Sequence, residues 1–237
     1  MLRTLFFSAT FIPWTLAVLL VSLPLSLFGP DALHRLARIW ARGALLPAGV
    51  RVRCRGEVAL ESGQAVIFMP NHQSNFDILA LLACIRPPFR WLAKKELFSI
   101  PLFGTAMRLA GCIAVDRGDR ERAVASMDEA ARRIRGGESV VIFPEGTRSF
   151  DDRLLPFKKG GFMTALKAQA PVIPVRISGS GQVHRKHSRR IRAGTIAIDF
   201  LPPIETRGLT TDDRDLLMDW VRRALSAHAE EHEAKTT

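Results

Sequence analysis

The chain has 237 residues, 47% of them hydrophobic and 24% charged, which excludes a disordered tail protein and leaves one large globular core as the default. Its formal net charge of +11, from 34 Lys and Arg against 23 Asp and Glu, calls for an anionic partner, either nucleic acid or an anionic membrane. Three cysteines, Cys54, Cys84 and Cys112, stand far apart with an odd count and no C-x-x-C spacing; neither a disulfide framework nor a zinc ribbon is suggested, and they read as buried apolar fillers in a reducing compartment.

From Thr4 to Pro30 there is no charged residue, and the apolar run spans Leu5 to Phe28. As one helix its 24 residues would reach roughly 36 Å, enough to cross a bilayer. Pro13 and Pro24 oppose that, because each removes a helix hydrogen bond; the unbroken part, Trp14 to Leu23, covers only about 15 Å, one leaflet. A cleaved signal peptide is the competing reading, disfavoured by the overlong apolar region and the lack of an A-x-A site. The next stretch, "DALHRLARIWARGALL", sets Leu33, Leu36, Ala37, Trp40 and Ala44 on one helical face with Arg35, Arg38 and Arg42 around it. Such a helix suits a lipid interface or packs on the domain. Together these segments read as a membrane arm over residues 1–47, ahead of a domain over 48–237.

After Pro47 the texture changes. "RVRCRGEV", "AVIFM", "FRWLAKK", "GCIAVDR", "SVVIF", "PVIPVRIS" and "TIAIDF" read as strands. "FDILALLACI" reads as an apolar helix ended by Pro87-Pro88, "RERAVASMDEAARRIRGG" as an amphipathic helix stopped by Gly136-Gly137, and "DDRDLLMDWVRRALSAHAEEH" as a C-terminal helix. The alternation predicts a single α/β domain on a mostly parallel or mixed sheet flanked by helices. Charge is uneven along it, since residues 149–195 hold ten basic and two acidic side chains.

His72 and Asp77 lie five residues apart between the "AVIFM" strand and the helix that follows. That loop is the C-terminal edge of a strand, where α/β proteins place their sites. Asp77, in the first helical turn, can turn back to accept from the imidazole, fixing its tautomer and making His72 a general base. A metal site would need further ligands, and His34, His184, His187, His228 and His232 lie elsewhere. A hydrolase would need a nucleophile, and no G-x-S-x-G elbow occurs. The pair therefore suits a reaction whose substrate brings its own hydroxyl; a loop hydrogen bond with a cap is the non-functional alternative.

In "VVIFPEGTRSF", Glu145, Gly146, Thr147 and Arg148 form a turn at a strand exit. Gly146 lets backbone approach a ligand, Arg148 has the fork that suits phosphate, and Glu145 can accept from hydroxyls. Lys94 and Arg117 add cations at two other strand ends.

These stretches occur in the order and spacing of the glycerolipid acyltransferase superfamily, and the chain resembles the bacterial 1-acyl-sn-glycerol-3-phosphate acyltransferases within it. The family's N-H-x-x-x-x-D box is matched by Asn71, His72 and Asp77, and its F-P-E-G-T-R-S box by Phe143 to Ser149. Its G-x-x-F-I-x-R box runs from Gly111 to Arg117, with Ala114 and Val115 at the Phe and Ile positions, and its V-I-P-V box is Val172 to Val175.

The resemblance implies transfer of a fatty acyl group from an acyl thioester, acyl-CoA or acyl-carrier protein, to the sn-2 hydroxyl of 1-acyl-glycerol-3-phosphate. It implies that His72 is the base and Asp77 its orienter. Arg117 and Arg148 with Lys94 then bind the phosphate, and Glu145, with Gly146 and Thr147 beside it, contacts the glycerol. No metal and no cofactor beyond the thioester co-substrate is expected. The expected partners are the lysolipid, the thioester donor and an anionic membrane surface, with the domain on the cytoplasmic face of the inner membrane. Ala114 and Val115 leave a smaller wall beside Arg117, so another lysolipid, such as lyso-ornithine lipid, stays open as acceptor. Nucleic-acid binding through "HRKHSRRIR" lacks interleaved aromatics and is not expected.

Overall fold

The computed structural model describes residues 1–56, 63–116, 118–151 and 153–234. Two antiparallel-running helices open the chain, α1 (Leu2–Leu25) and α2 (Pro30–Ala48), joined by a 3-10 turn at Ser26–Phe28. The α/β part follows as β1 (Val50–Arg55), β2 (Ile67–Pro70), α3 (Phe76–Cys84), β3 (Phe89–Lys94), α4 (Phe103–Leu109) and β4 (Ile113–Val115). It continues as α5 (Arg120–Arg135), β5 (Ser139–Val141), α6 (Lys159–Ala168), β6 (Val172–Ser178), α7 (Ser180–Val183), β7 (Gly194–Phe200) and α8 (Arg214–Ala234).

The seven strands form one sheet in the order β1-β7-β6-β2-β5-β3-β4. Strands β6, β2, β5, β3 and β4 are mutually parallel, β7 runs antiparallel to β6, and β1 is parallel to β7. The sheet is therefore mixed, with its reversed pair confined to one edge. Every residue of β2 is buried, as a central parallel strand covered on both faces requires. Its side chains alternate: Phe68 joins the apolar layer of α2 and α3, while Ile67 and Met69 join the layer of α5, α6 and α8. On α8, Leu217, Val221 and Leu225 are fully buried at four-residue spacing, the stripe that docks a helix on a sheet. Helix α5 begins as its sequence indicates, with the Asp119 carboxylate accepting from Arg122 N at 3.0 Å.

Two sequence expectations change and one open choice closes. First, Pro13 and Pro24 lie inside α1, which runs unbroken from Leu2 to Leu25. Packing against α2 offsets the lost backbone bonds: Trp14 Nε1 donates to Trp40 O and Trp40 Nε1 to Thr15 Oγ1, both at 3.0 Å. Gly43 permits this closeness, since a Cβ there would sit 2.6 Å from the Trp14 ring. Second, of the two readings open for α2, packing on the domain holds, since it buries Leu33, Ala41, Ala44 and Leu45 against protein; the large exposed apolar side chains of the hairpin lie mostly on α1 and the turn, including Leu20, Leu27 and Phe28, with Ile39 and Leu46 on α2. Leu2–Phe28 is long and apolar enough to cross a membrane.

Third, the cysteines are not all isolated fillers. Cys54 on β1 and Cys84 at the end of α3 form a disulfide with Cα atoms 5.7 Å apart. Helix α3 lies over the sheet edge that β1 forms, which brings together residues that sequence spacing keeps apart. Cys112 is a free thiol.

Candidate active site

The site lies beyond the C-terminal ends of β2 and β5, neighbours in the middle of the parallel block. Here the chain leaves β2 through Asn71–Asn75 and leaves β5 through the Phe143–Phe150 segment.

Asn71 ends β2 by imitating a strand. Its Nδ2 donates to Ile177 O at 3.0 Å and its Oδ1 accepts from Ile177 N at 2.7 Å, pinning the loop to β6. His72 follows, and its main chain is held at both ends by the second motif. His72 N donates to Glu145 Oε1 at 2.8 Å, and His72 O accepts from Ser149 N at 2.8 Å. The ring is fixed by Asp77, whose Oδ2 lies 2.8 Å from His72 Nδ1 and also accepts from Gln73 N and Ser74 N at 2.7 and 2.8 Å. Asp77 is fully buried at the start of α3, where the helix N-terminus favours a carboxylate. With Nδ1–H directed to Asp77, Nε2 is the ring's free basic atom.

One face of the imidazole stacks on Phe143, ring centroids 3.9 Å apart, and Trp91 stacks on Phe143 in turn at 6.0 Å. These rings and His72 border a cavity of about 380 Å³ that extends between α1, α2, α3 and α4, past Leu19, Leu36, Leu82 and Phe103. Neither Trp91 nor Phe143 is marked as a site residue by its own sequence signal. Phe143 abuts the P-E-G-T-R run, but the stacking of this half-buried ring on a histidine depends on a strand pairing that spacing does not reveal.

The predicted cations divide. Lys94 and Arg148 both line the cavity with His72, as do Gly146 and Thr147. Lys94 is exposed and pairs with Glu96 Oε1 at 3.3 Å. Gly146 has φ 70°, the left-handed turn for which glycine is suited. Arg117 lies outside the described residues. Glu145 is 1% exposed and does not line the cavity; its second oxygen accepts from Leu155 N at 2.9 Å. Burial pushes its carboxyl above the ordinary value, opposed by the two amides that it accepts. Glu145 is thus placed as a brace between loops.

Among the described residues no Ser or Cys nucleophile is poised against His72. The Ser74 hydroxyl is fully buried and donates to His184 O at 2.8 Å. The Cys112 thiol borders the cavity, but burial pushes its pKa up and keeps it protonated. Among the described residues no group of His, Cys, Asp and Glu could hold a metal ion. His34, on the cavity wall, is held to a pKa of about 4 by burial and by Arg90 and Arg38, and stays neutral.

A family model described as Acyltransferase matches residues 51–178. The chain belongs to the Acyltransferase family. Over 178 residues it is 36% identical to human 1-acyl-sn-glycerol-3-phosphate acyltransferase alpha, covering 75% of this chain and 63% of that protein. Over 165 residues it is 36% identical to the Escherichia coli 1-acyl-sn-glycerol-3-phosphate acyltransferase, covering 69% of this chain and 66% of that one. The chain thus spans just under two thirds of these relatives' length. A crystal structure of the 1-acyl-sn-glycerophosphate (LPA) acyltransferase PlsC from Thermotoga maritima superposes with a TM-score of 0.81 at 26% identity, over 98% of this chain and 95% of that one. The acyltransferase likeness thus reaches beyond the family segment into the helical hairpin and α8.

Proposed function

We propose that this acyltransferase moves a fatty acyl group from a thioester to the sn-2 hydroxyl of 1-acyl-glycerol-3-phosphate, giving phosphatidic acid. The observation that carries it is His72, tied to Asp77 and opening on an apolar cavity whose mouth also bears Arg148 and Lys94. A lipid with a phosphate at one end and a hydroxyl nearby fits this arrangement. The cavity takes an acyl chain, each buried methylene contributing about 0.8 kcal/mol, while Arg148 and Lys94, joined by Arg117 on the family pattern, hold the phosphate.

His72 Nε2 takes the proton of the acceptor hydroxyl as its oxygen attacks the thioester carbonyl. The C–S bond then breaks, and the departing thiolate takes the proton back from the imidazolium. Asp77 stabilises that imidazolium through Nδ1–H. A base of this kind contributes about 10² to 10⁴ in rate. Glu145 and Ser149 keep the His72 main chain in place during proton transfer.

The exposed apolar side of α1 and its turn hold the enzyme on the membrane that contains acceptor and product. Thioester donors are water-borne, which puts the catalytic face on the cytoplasmic leaflet; the redox state of Cys54 and Cys84 in cells checks that compartment independently.

The test is purified protein with an acyl thioester and a panel of lysolipids, following thiol release and the new lipid. Lysophosphatidic acid should be preferred over a monoacylglycerol of equal chain length, and Arg148→Ala should narrow that preference by about tenfold or more, the loss of one charge-assisted contact. Equal wild-type rates on both acceptors would remove the phosphate clamp. They would favour a phosphate-free lysolipid such as lyso-ornithine lipid, a reading that the exposed Ala114 in place of the family's Phe supports.

A further inference from the structure

A second cavity, of about 300 Å³, lies behind the first. Gln73 and Ser149 line it, whereas their chain neighbours His72 and Arg148 line the apolar cavity. The two spaces therefore approach each other at His72–Gln73 and at Arg148–Ser149. The outer wall is basic: Arg185, Lys186, Arg190 and Arg192 face this cavity against one carboxylate, Asp151. Lys186 is partly engaged, donating to Arg148 O at 2.7 Å and lying 4.3 Å from the Phe150 ring centroid. The guanidinium groups of Arg185, Arg190 and Arg192 have no ion-pair partner among the described residues. Three such forks in one concavity suit a ligand that offers several anionic oxygens, above all phosphate.

The position decides whose phosphate it is. Ile191, between two of these arginines, donates its N–H to Thr4 Oγ1 at 3.1 Å, so the basic wall sits at the start of α1. Further along α1, Thr15, Leu19 and Ser22 line the apolar cavity. The exposed Leu27 and Phe28 end the hairpin, about 36 Å from Thr4 along the helix. The sequence of features is thus apolar tip, apolar cavity, His72, basic cavity. The lipid acceptor enters from the tip side, and its phosphate has Arg148 and Lys94. The basic cavity is at the opposite end, where a water-borne reactant arrives.

We propose that this cavity binds the phosphate end of the phosphopantetheine arm of the acyl donor, so that the thioester at the arm's other end reaches His72. The inference rests on the acyl-transfer reading above. Acyl-CoA and acyl-carrier protein both carry that arm, and the cavity recognises the part that they share.

The experiment compares wild type with Arg190→Ala/Arg192→Ala, both positions exposed and outside the catalytic loops, using acyl-CoA, acyl-carrier protein and acyl-pantetheine, which lacks the phosphate. The double variant should raise the KM of a phosphate-bearing donor about tenfold and that of acyl-pantetheine less than twofold. The KM of the lysolipid should stay unchanged. The donor effect should also shrink in high salt, where exposed charges are screened. A change with acyl-CoA alone, or with acyl-carrier protein alone, supports the cavity and identifies the source. Unchanged donor KM values, or an equal rise for acyl-pantetheine, overturn the proposal. So does a double variant that only loses binding to anionic vesicles, which would make the wall a membrane contact. Should the wild type transfer no acyl group from any donor, the proposed function fails instead. Calorimetric titration with CoA then decides the cavity separately: binding weakened about tenfold in the double variant keeps it, and absence of binding to the wild type removes it.

Discussion

Replacing Glu145 by alanine separates two roles for that residue. The carboxylate accepts from His72 N at 2.8 Å and from Leu155 N at 2.9 Å, and the side chain is 1% exposed. Alanine leaves both amides without their acceptor, at about 1 to 3 kcal/mol each. The sum is a large part of a typical folding free energy of roughly 5 to 15 kcal/mol. At about 2 to 4 °C per kcal/mol for a chain of this size, Tm should fall by about 4 °C or more. Because Ser149 N and Asp77 still hold His72, the base loosens but remains, and kcat should drop about 10- to 100-fold through misplacement. Lysolipid KM should move less than threefold, since Glu145 is not in the cavity wall. Melting curves and steady-state thiol release on the same preparation give all three numbers. An unchanged Tm and kcat with a tenfold higher lysolipid KM would refute the brace and make Glu145 a direct substrate contact.

Asp77→Asn retains the shape of an acceptor for Gln73 N and Ser74 N while removing the charge opposite Nδ1, so kcat should fall roughly 10³- to 10⁴-fold with the fold intact; a loss under tenfold in thiol release would contradict the dyad. His34 has its pKa lowered from 6.5 to about 4, so the stability it contributes is present above pH 6.5 and lost as pH falls toward 4, by about 3 kcal/mol in all. Chemical denaturation across that window should show a steeper acid loss for wild type than for His34→Leu, and parallel curves would rule the contribution out. Gly43→Val drives a side chain into the Trp14 ring; overpacking of about 1 to 3 kcal/mol should lower Tm and raise lysolipid KM, since α1 walls the cavity, whereas a neutral variant would mean that the hairpin is loosely packed.

The strand, loop and helix around His72 were legible because their signals are local: a buried apolar run, an N-terminal carboxylate, and a helix closed by Pro87-Pro88. Helix α5, an amphipathic run stopped by Gly136-Gly137, was legible for the same reason. Helix α6 was not, since Gly160-Gly161 argue against a helix. The second glycine is there for close packing, because a Cβ on it would lie 2.9 Å from Ile142 Cγ2. The reversed edge strands β1 and β7, the Cys54–Cys84 link and the Trp91–Phe143–His72 stack all join segments whose meeting depends on the finished sheet. The candidate base and its orienter could be named from one box, but what holds them could not. Asn71 reaches a partner 106 residues away, and His72 N reaches one 73 residues away.

Those separations put the site in an order of events during synthesis. A ribosome releases the apolar hairpin before the sheet, while Ile177, the residue that anchors Asn71, emerges long after His72. Pairings this distant in sequence form slowly, because the loop must close before any contact rewards it. On the proposed reading, the nascent chain therefore presents its apolar hairpin well before it has a positioned base, so that membrane contact would precede a finished site. Arrested chains ending before β6 should pellet with vesicles yet release no thiol from a thioester.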